Sequence, residues 1–299
     1  MLRGASFPGR HHPPPAPRFR RSRRRGGGAG TGLVPEGPRR AAAGGPRAGH
    51  VSTAGSLAAP VGGGLLTSFA FAALFVSAGV LASWVLVQRG DEVFVLDDLS
   101  TGDRANVAHL EVGPRFHFVE GSIFEGERLL ELVGTCDQVV HLAAAVGVQY
   151  ILDHPLSSIS TNIEGTQRVL ETCNRFRKKV MIASTSEVYG NQNHAPLVET
   201  DGSVYGSSGK ARWSYAASKL MDEFLALAYH RTHGLEVVIV RFFNTVGPRQ
   251  TGRYGMVVPR FVRQALAGEP VTVYGTGHQS RTFTHVGDTV RAVEALLDT

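Results

Sequence analysis

From position 91 onward, short apolar runs alternate with stretches whose apolar positions recur at helical spacing. The runs at 92–96 (EVFVL), 115–119 (RFHFV), 138–142 (QVVHL), 180–183 (VMIA) and 236–240 (EVVIV) read as strands. Between them, 166–175 (TQRVLETCNR) and 218–230 (SKLMDEFLALAYH) read as amphipathic helices, and another helix begins near Val286. Nearly continuous apolar strands alternating with helices predict an α/β fold, a doubly wound parallel sheet covered on both faces. No internal repeat interrupts this pattern.

Upstream the pattern changes twice. Residues 65–87 (LLTSFAFAALFVSAGVLASWVLV) run for 23 positions without a charge. That length suits a membrane-spanning helix with the basic tail in the cytosol, and it equally suits a buried strand followed by a buried helix. Apolarity alone does not separate the two. Residues 1–64 hold 15 of the 36 glycines and 9 of the 15 prolines, with an arginine cluster between Arg18 and Arg25. Such a stretch buries too little apolar surface to offset its ordering entropy, so it reads as a disordered tail. Its arginine-rich, acid-poor composition is also that of organellar targeting peptides.

Charge follows the same division. The chain carries +6, but 11 arginines and a single acid, Glu36, give the first 64 residues about +10. The remainder holds 20 basic and 24 acidic residues, a net −4, which gives no warrant for a nucleic-acid-binding body. Two cysteines, Cys136 and Cys173, exclude a disulfide framework and a cysteine-rich zinc module, and no metal site is expected.

Three segments carry candidate chemistry. In 213–219 (WSYAASK), Tyr215 and Lys219 stand four apart on one helix face, a spacing that lets the ammonium hold the phenol oxygen and favour its ionised form. A tyrosine so shifted is a usable general base. The segment 184–190 (STSEVYG) follows a strand directly, and loops at the carboxyl ends of parallel strands are where such sheets bind ligands. There Thr185 can meet a substrate hydroxyl, or simply cap the next turn. In 93–102 (VFVLDDLSTG), Asp97 ends a strand with Asp98 beside it, where a carboxylate accepts both ribose hydroxyls of adenosine and favours NAD over a 2′-phosphorylated cofactor.

Taken in order, these segments resemble the extended short-chain dehydrogenase/reductases that modify nucleotide sugars, among them epimerases, 4,6-dehydratases and UDP-glucuronate decarboxylases. The resemblance runs from Gln88 to Thr299 through LDDLSTG, HLAAAVGV (141–148), NIEGT (162–166), ASTSEVYG, YAASK, RFFNTVGPRQ (241–250) and VYGTGHQSRTF (273–283). It implies a Rossmann-like sheet with a small substrate-binding part, NAD as cofactor and a UDP-sugar substrate. It further implies a catalytic set of Thr185, Tyr215 and Lys219, with Glu187 at the acidic position of decarboxylases and dehydratases. Asp97 is expected on the adenosine ribose, Ala143 and Ala144 along the pyrophosphate, and Asn244 and Arg281 on the sugar diphosphate. A guanidinium fork at Arg281 suits phosphate oxygens. The shared chemistry is oxidation of the sugar at C4. Decarboxylation of UDP-glucuronate to UDP-xylose ranks first among the outcomes, ahead of 4-epimerisation and 4,6-dehydration. A homodimer through two helices per subunit is expected, with the helix around 214–229 as the candidate.

Three positions depart from the family pattern. The glycine-rich loop is reduced to Gly79 within SAGVLA (77–82), and 82–90 is short for a complete helix before the next strand. Ser122 stands where an aspartate usually contacts adenine. The chain stops at Thr299, before segments that complete the sugar pocket in relatives, so the domain reads as 88–299 and incomplete at both ends. One reading is that everything before about position 85 belongs to another start or exon, leaving a cytoplasmic enzyme. Another is a non-catalytic, membrane-anchored relative with a lumenal domain.

Overall fold

The computed structural model describes residues 67–71, 78–250 and 256–299. The basic tail, and with it the expectation of disorder there, lies outside the described residues, as do positions 72–77. The elements in chain order are β1 (Thr67–Phe71), α1 (Ala78–Arg89), β2 (Glu92–Asp97), β3 (Phe116–Glu120), α2 (Gly126–Thr135), β4 (Gln138–His141), α3 (Val148–Asp153), α4 (Pro155–Phe176), β5 (Lys179–Thr185), α5 (Trp213–His233), β6 (Val237–Phe242), β7 (Asn244–Val246), α6 (Val257–Leu266), β8 (Phe283–His285) and α7 (Val286–Leu297).

Six strands form one parallel sheet in the order β3-β2-β1-β4-β5-β6, and β7 pairs with β8 in a separate two-stranded ladder. The chain steps outward on one side from β1 to β3, then crosses back to β4 on the other side of β1. That reversal leaves a crevice at the carboxyl ends of β1 and β4, where open α/β sheets bind their ligands.

Both faces are covered, and the period-2 alternation of each strand distributes its side chains between two cores. On one face Leu96, Val139, Val180 and Ile182 pack with Leu129 and Val133 of α2 and Val169 and Leu170 of α4. On the other, Val93, Val95, Val140 and Met181 pack with Val80 and Leu86 of α1 and Val293 and Leu297 of α7. Pro155 opens α4 at its first turn, where a missing N–H costs nothing, and Gly234, at φ 67°, ends α5 by returning its N–H to the His230 carbonyl. Lys179 at the start of β5 donates to the carbonyls of Leu296 and Leu297, which ties the last turn of α7 to the sheet.

Of the apolar stretch 65–87, residues 67–71 form a sheet strand and 78–87 lie in a helix. β1 pairs in parallel with both β2 and β4, and α1 begins at Ala78, earlier than the shortened helix expected from 82–90. Gly90, at φ 105°, closes α1, with the Asp91 N–H reaching the Leu86 carbonyl at 3.0 Å. Among the described residues no helix is long and apolar enough to cross a membrane. The sheet also takes in residues that the sequence reading placed before the domain boundary at 88.

Candidate active site

Four strand ends, those of β2, β3, β4 and β5, carry the candidate site residues. Asp97 closes β2 and is 4% exposed, its Oδ1 accepting the Leu99 N–H at 2.7 Å. The next residue, Asp98, accepts the Ser100 N–H, so the two carboxylates fold this loop back on itself. After β3, the Gly121 N–H donates to the Asp97 carbonyl, and Ser122 Oγ accepts from Phe124 N. Residues 143–145 follow β4. Together these segments, α3 and α4 line a cavity of about 460 Å³ that includes Asp97, Asp98, Ser122, Ala143, Ala144 and Tyr150. Its volume is that of a pocket for a sizeable organic ligand. The structure thus gathers every sequence-predicted cofactor residue except Gly79 around one cavity. Gly79 lies buried in the first turn of α1, inside the helix instead of in the preceding loop, whose other positions lie outside the described residues.

The candidate catalytic residues meet at the end of β5. Thr185 is its last residue, and the turn Ser186–Tyr189 follows at once. The Thr185 hydroxyl accepts the Glu187 N–H at 3.2 Å, as the capping reading expects, and also reaches the Tyr215 phenol. Tyr215 sits in the first turn of α5. Burial chiefly, and then the exposed Glu187 carboxylate, push its phenol above the ordinary tyrosine value, while the Thr185 hydroxyl pulls the other way.

That direction corrects the sequence reading, which placed the Lys219 ammonium on the phenol oxygen. The ammonium lies on Asp222 instead, Nζ to Oδ2 2.7 Å, with the pair 2% and 0% exposed. A full negative charge three positions along the helix outcompetes a neutral phenol four positions back. Asp222 is itself pushed up by burial, against the pull of Lys219 and of a hydrogen bond from Thr166.

Several polar residues hold this arrangement that sequence reasoning had left without roles. Asn162 on α4 accepts the Ala145 N–H at 2.8 Å and donates to Ser218 Oγ at 3.0 Å, joining the loop after β4 to α5. Glu223 takes a bidentate pair from Arg241 of β6, at 2.9 and 2.7 Å, and accepts the Ser184 hydroxyl at 2.5 Å. The available signal was a polar residue breaking an apolar helix face. His141, at the end of β4, meets Thr166 Oγ1 at 3.0 Å and is fully buried. Burial first, and the Lys219 charge second, lower its imidazole to about 3.

Asn244 and Arg281 lie apart from this cluster, both exposed. Asn244 opens β7 and donates to the Thr282 carbonyl at 2.9 Å, while Arg281 Nη1 donates to the Ser280 carbonyl. The β7–β8 ladder therefore brings the two predicted diphosphate ligands to the same strip of backbone.

The sequence profile described as "NAD dependent epimerase/dehydratase family" matches residues 80–299. The chain belongs to that family. Among its curated relatives, the UDP-N-acetyl-alpha-D-glucosaminuronate decarboxylase of Bacillus cytotoxicus is 42% identical over 214 residues, which is 71% of this chain and 65% of that protein. UDP-glucuronic acid decarboxylase 1 of Arabidopsis thaliana is 39% identical over 213 residues, 71% of this chain and 48% of that one. The chain thus spans less than two thirds of the length of either relative. Among solved structures, the UDP-glucuronic acid 4-epimerase of Bacillus cereus, in complex with UDP-glucuronic acid and NAD, is 30% identical with a TM-score of 0.70, covering 78% of this chain and 74% of that one. The dTDP-glucose 4,6-dehydratase DesIV of Streptomyces venezuelae, with NAD bound, is 31% identical with a TM-score of 0.71, covering 78% and 72%. Both likenesses agree with the Rossmann strand order of this family member.

The buried imidazole has a consequence for stability. Its folded value lies below its ordinary 6.5, so the unfolded chain binds the proton first as the pH falls. The stability it contributes is complete above about pH 6.5 and is lost as the pH falls toward about 3, at up to about 1.4 kcal/mol per pH unit. Urea unfolding between pH 7 and pH 4 should show this slope, and His141→Gln should flatten it.

Proposed function

We propose that the chain is an NAD-dependent enzyme of nucleotide sugars, with decarboxylation of UDP-glucuronate to UDP-xylose as its reaction. The observation that carries this reading is the meeting of Thr185, Glu187 and Tyr215 at the end of β5, in the same row of strand ends as the cavity lined by Asp97, Ala143 and Ala144. That cavity fits the cofactor. A buried carboxylate ends the strand where a ribose diol is expected, and two alanines leave room for close backbone approach to a pyrophosphate. Asp97 and Asp98 would hold the adenosine end, Ser122 the adenine, and residues 143–145 the pyrophosphate. NAD, when bound, supplies reversible hydride acceptance at the sugar C4, which makes that carbon transiently a ketone.

The chain's own residues do the rest. Thr185 holds the sugar 4-hydroxyl and Tyr215, which acts as a base only in its phenolate form, takes its proton as the C4 ketone forms. A carboxylate on C5 is then β to the ketone, so its C–C bond breaks with loss of CO2 and the electron pair is held as an enolate. Glu187, beside the phenol, is assigned the proton exchange at C5. Return of the Tyr215 proton to the 4-oxygen closes the cycle, and the balance is UDP-glucuronate plus one proton to UDP-xylose plus CO2. Asn244 and Arg281 would hold the diphosphate. The two decarboxylases of carboxylated UDP-sugars among the relatives support this outcome over its alternatives. The likeness to a UDP-glucuronic acid 4-epimerase supports 4-epimerisation as the second reading.

A second copy of the chain is the proposed partner. On α5, Met221 and Phe224 are 46% and 58% exposed and Leu227 continues the same stripe, an arrangement that a paired helix would cover.

Incubation of the full chain with UDP-glucuronate and NAD should release CO2 and give a UDP-pentose by mass spectrometry and NMR, and Tyr215→Phe should lower turnover by about 10²-fold or more with the fold unchanged. Formation of the C4 epimer without CO2 selects the epimerase reading, and full activity in Tyr215→Phe sinks both. For the assembly, sedimentation should give a dimer that Phe224→Glu converts to a monomer; a monomeric unsubstituted chain would contradict the pairing.

A further inference from the structure

One wall of the cavity, made by α4, carries none of the residues assigned to the cofactor. Ser157, Ser160, Thr161 and Glu164 all line it. Successive steps of three, one and three residues put them on one face of the helix. Three of them offer hydroxyls, and Glu164 alone brings a charge.

The place of Glu164 along that wall is set by its neighbour. At Gly165, α4 comes so close to the loop after β3 that a Cβ would stand 2.5 Å from Ile123 Cδ1 and 3.8 Å from Phe124 Cζ. Those two residues directly follow Ser122, so Glu164 lies at the Ser122 end of the cavity, where the adenine is assigned. Among the described residues its carboxylate has no hydrogen bond and no ion pair. Arg168, one turn on, would be its ordinary helical partner, but that guanidinium lies over the Phe124 ring at 5.2 Å. The other carboxylates nearby are engaged. Asp97 and Asp98 each accept a backbone N–H of their own loop, and Glu125 takes the Ser122 N–H and pairs with Arg128.

Adenine presents an exocyclic amino group, which donates, beside ring nitrogens, which accept. Ser122 suits the second. Its Oγ already accepts the Phe124 N–H at 3.3 Å, which leaves its hydroxyl hydrogen to give to a ring nitrogen, and its backbone N–H is taken by Glu125. The amino group still needs an oxygen, and the unpaired one at this end of the cavity belongs to Glu164.

We infer that Glu164 receives the exocyclic amino group of the cofactor's adenine, and that the cavity thereby selects adenine over a 6-oxo purine. This assignment rests on the proposal that the cavity takes NAD. A charged acceptor makes a stronger bond to an amino group than a neutral one does, and against an oxo oxygen it meets only another acceptor. Glutamine weakens the discrimination from both sides, since its carbonyl still accepts from an amino group while its own amide donates to an oxo oxygen. Glu164 is exposed and without a protein partner, and glutamine is as good a helix former, so Glu164→Gln leaves the fold as it is.

The test is calorimetric titration of the full chain and of Glu164→Gln, each with NAD and with nicotinamide hypoxanthine dinucleotide, in which an oxo oxygen replaces the amino group. The unsubstituted chain is expected to prefer NAD by about tenfold or more, and Glu164→Gln to reduce that preference to about threefold or less. Comparing two dinucleotides on one protein cancels any general effect of the lost charge on a negatively charged ligand. A preference that Glu164→Gln leaves unchanged overturns the inference, and so does an unsubstituted chain that binds the two equally. In both of those outcomes NAD still binds, so the cofactor reading stands. A chain that binds neither dinucleotide removes that reading and the inference with it.

Discussion

The parallel pairing of β1 with β2 on one side and β4 on the other is the constraint on which the rest of the site depends. Its register sets Ser68 against Val93 and Gln138, and Ala70 against Val95 and Val140, so the strands end level with one another. Without that central strand β2 and β4 would have no common neighbour, and the loops carrying Asp97 and Ala143 would not face one cavity. It also explains how the long apolar stretch near the N-terminus is used. A strand in the middle of a parallel sheet and a helix covering it both bury apolar surface, and neither needs a charge.

Catalytic geometry is then secured by polar contacts that cross the layers. Asn162 joins the loop after β4 to α5, and Glu223 joins α5 to β5 and β6. Each is buried or nearly so, where an unmet hydrogen bond would be costly, so each restricts α5 to the position in which Tyr215 meets Thr185. Hydrophobic packing holds the helices on the sheet, and this polar set fixes their register.

Much of this was legible beforehand because strands β2 to β6 are apolar runs of a length no helix would use, and their boundaries fall within a residue or two of the expectation. The ladder of β7 and β8 was not, since three-residue strands leave no period to read. The stretch at 65–87 was ambiguous because a span and a strand with its covering helix bury equally apolar residues. Among site residues, Asp97 and Thr185 were readable from their place after a strand. The partner of Lys219 was not: spacing offered the ammonium both Tyr215 and Asp222, and the choice falls to the carboxylate because both charges are buried together.

The sheet builds a dinucleotide cavity although the sequence just before α1 lacks the full glycine-rich pattern and Gly79 lies within the helix. Calorimetric titration of the full chain with NAD tests it most directly. Saturable binding at one NAD per chain is expected, weakened about tenfold or more by Asp97→Asn, since the carboxylate is the proposed ribose partner. A folded chain that takes up no NAD, or that binds it equally well without the Asp97 carboxylate, would rule out a cofactor site at these strand ends.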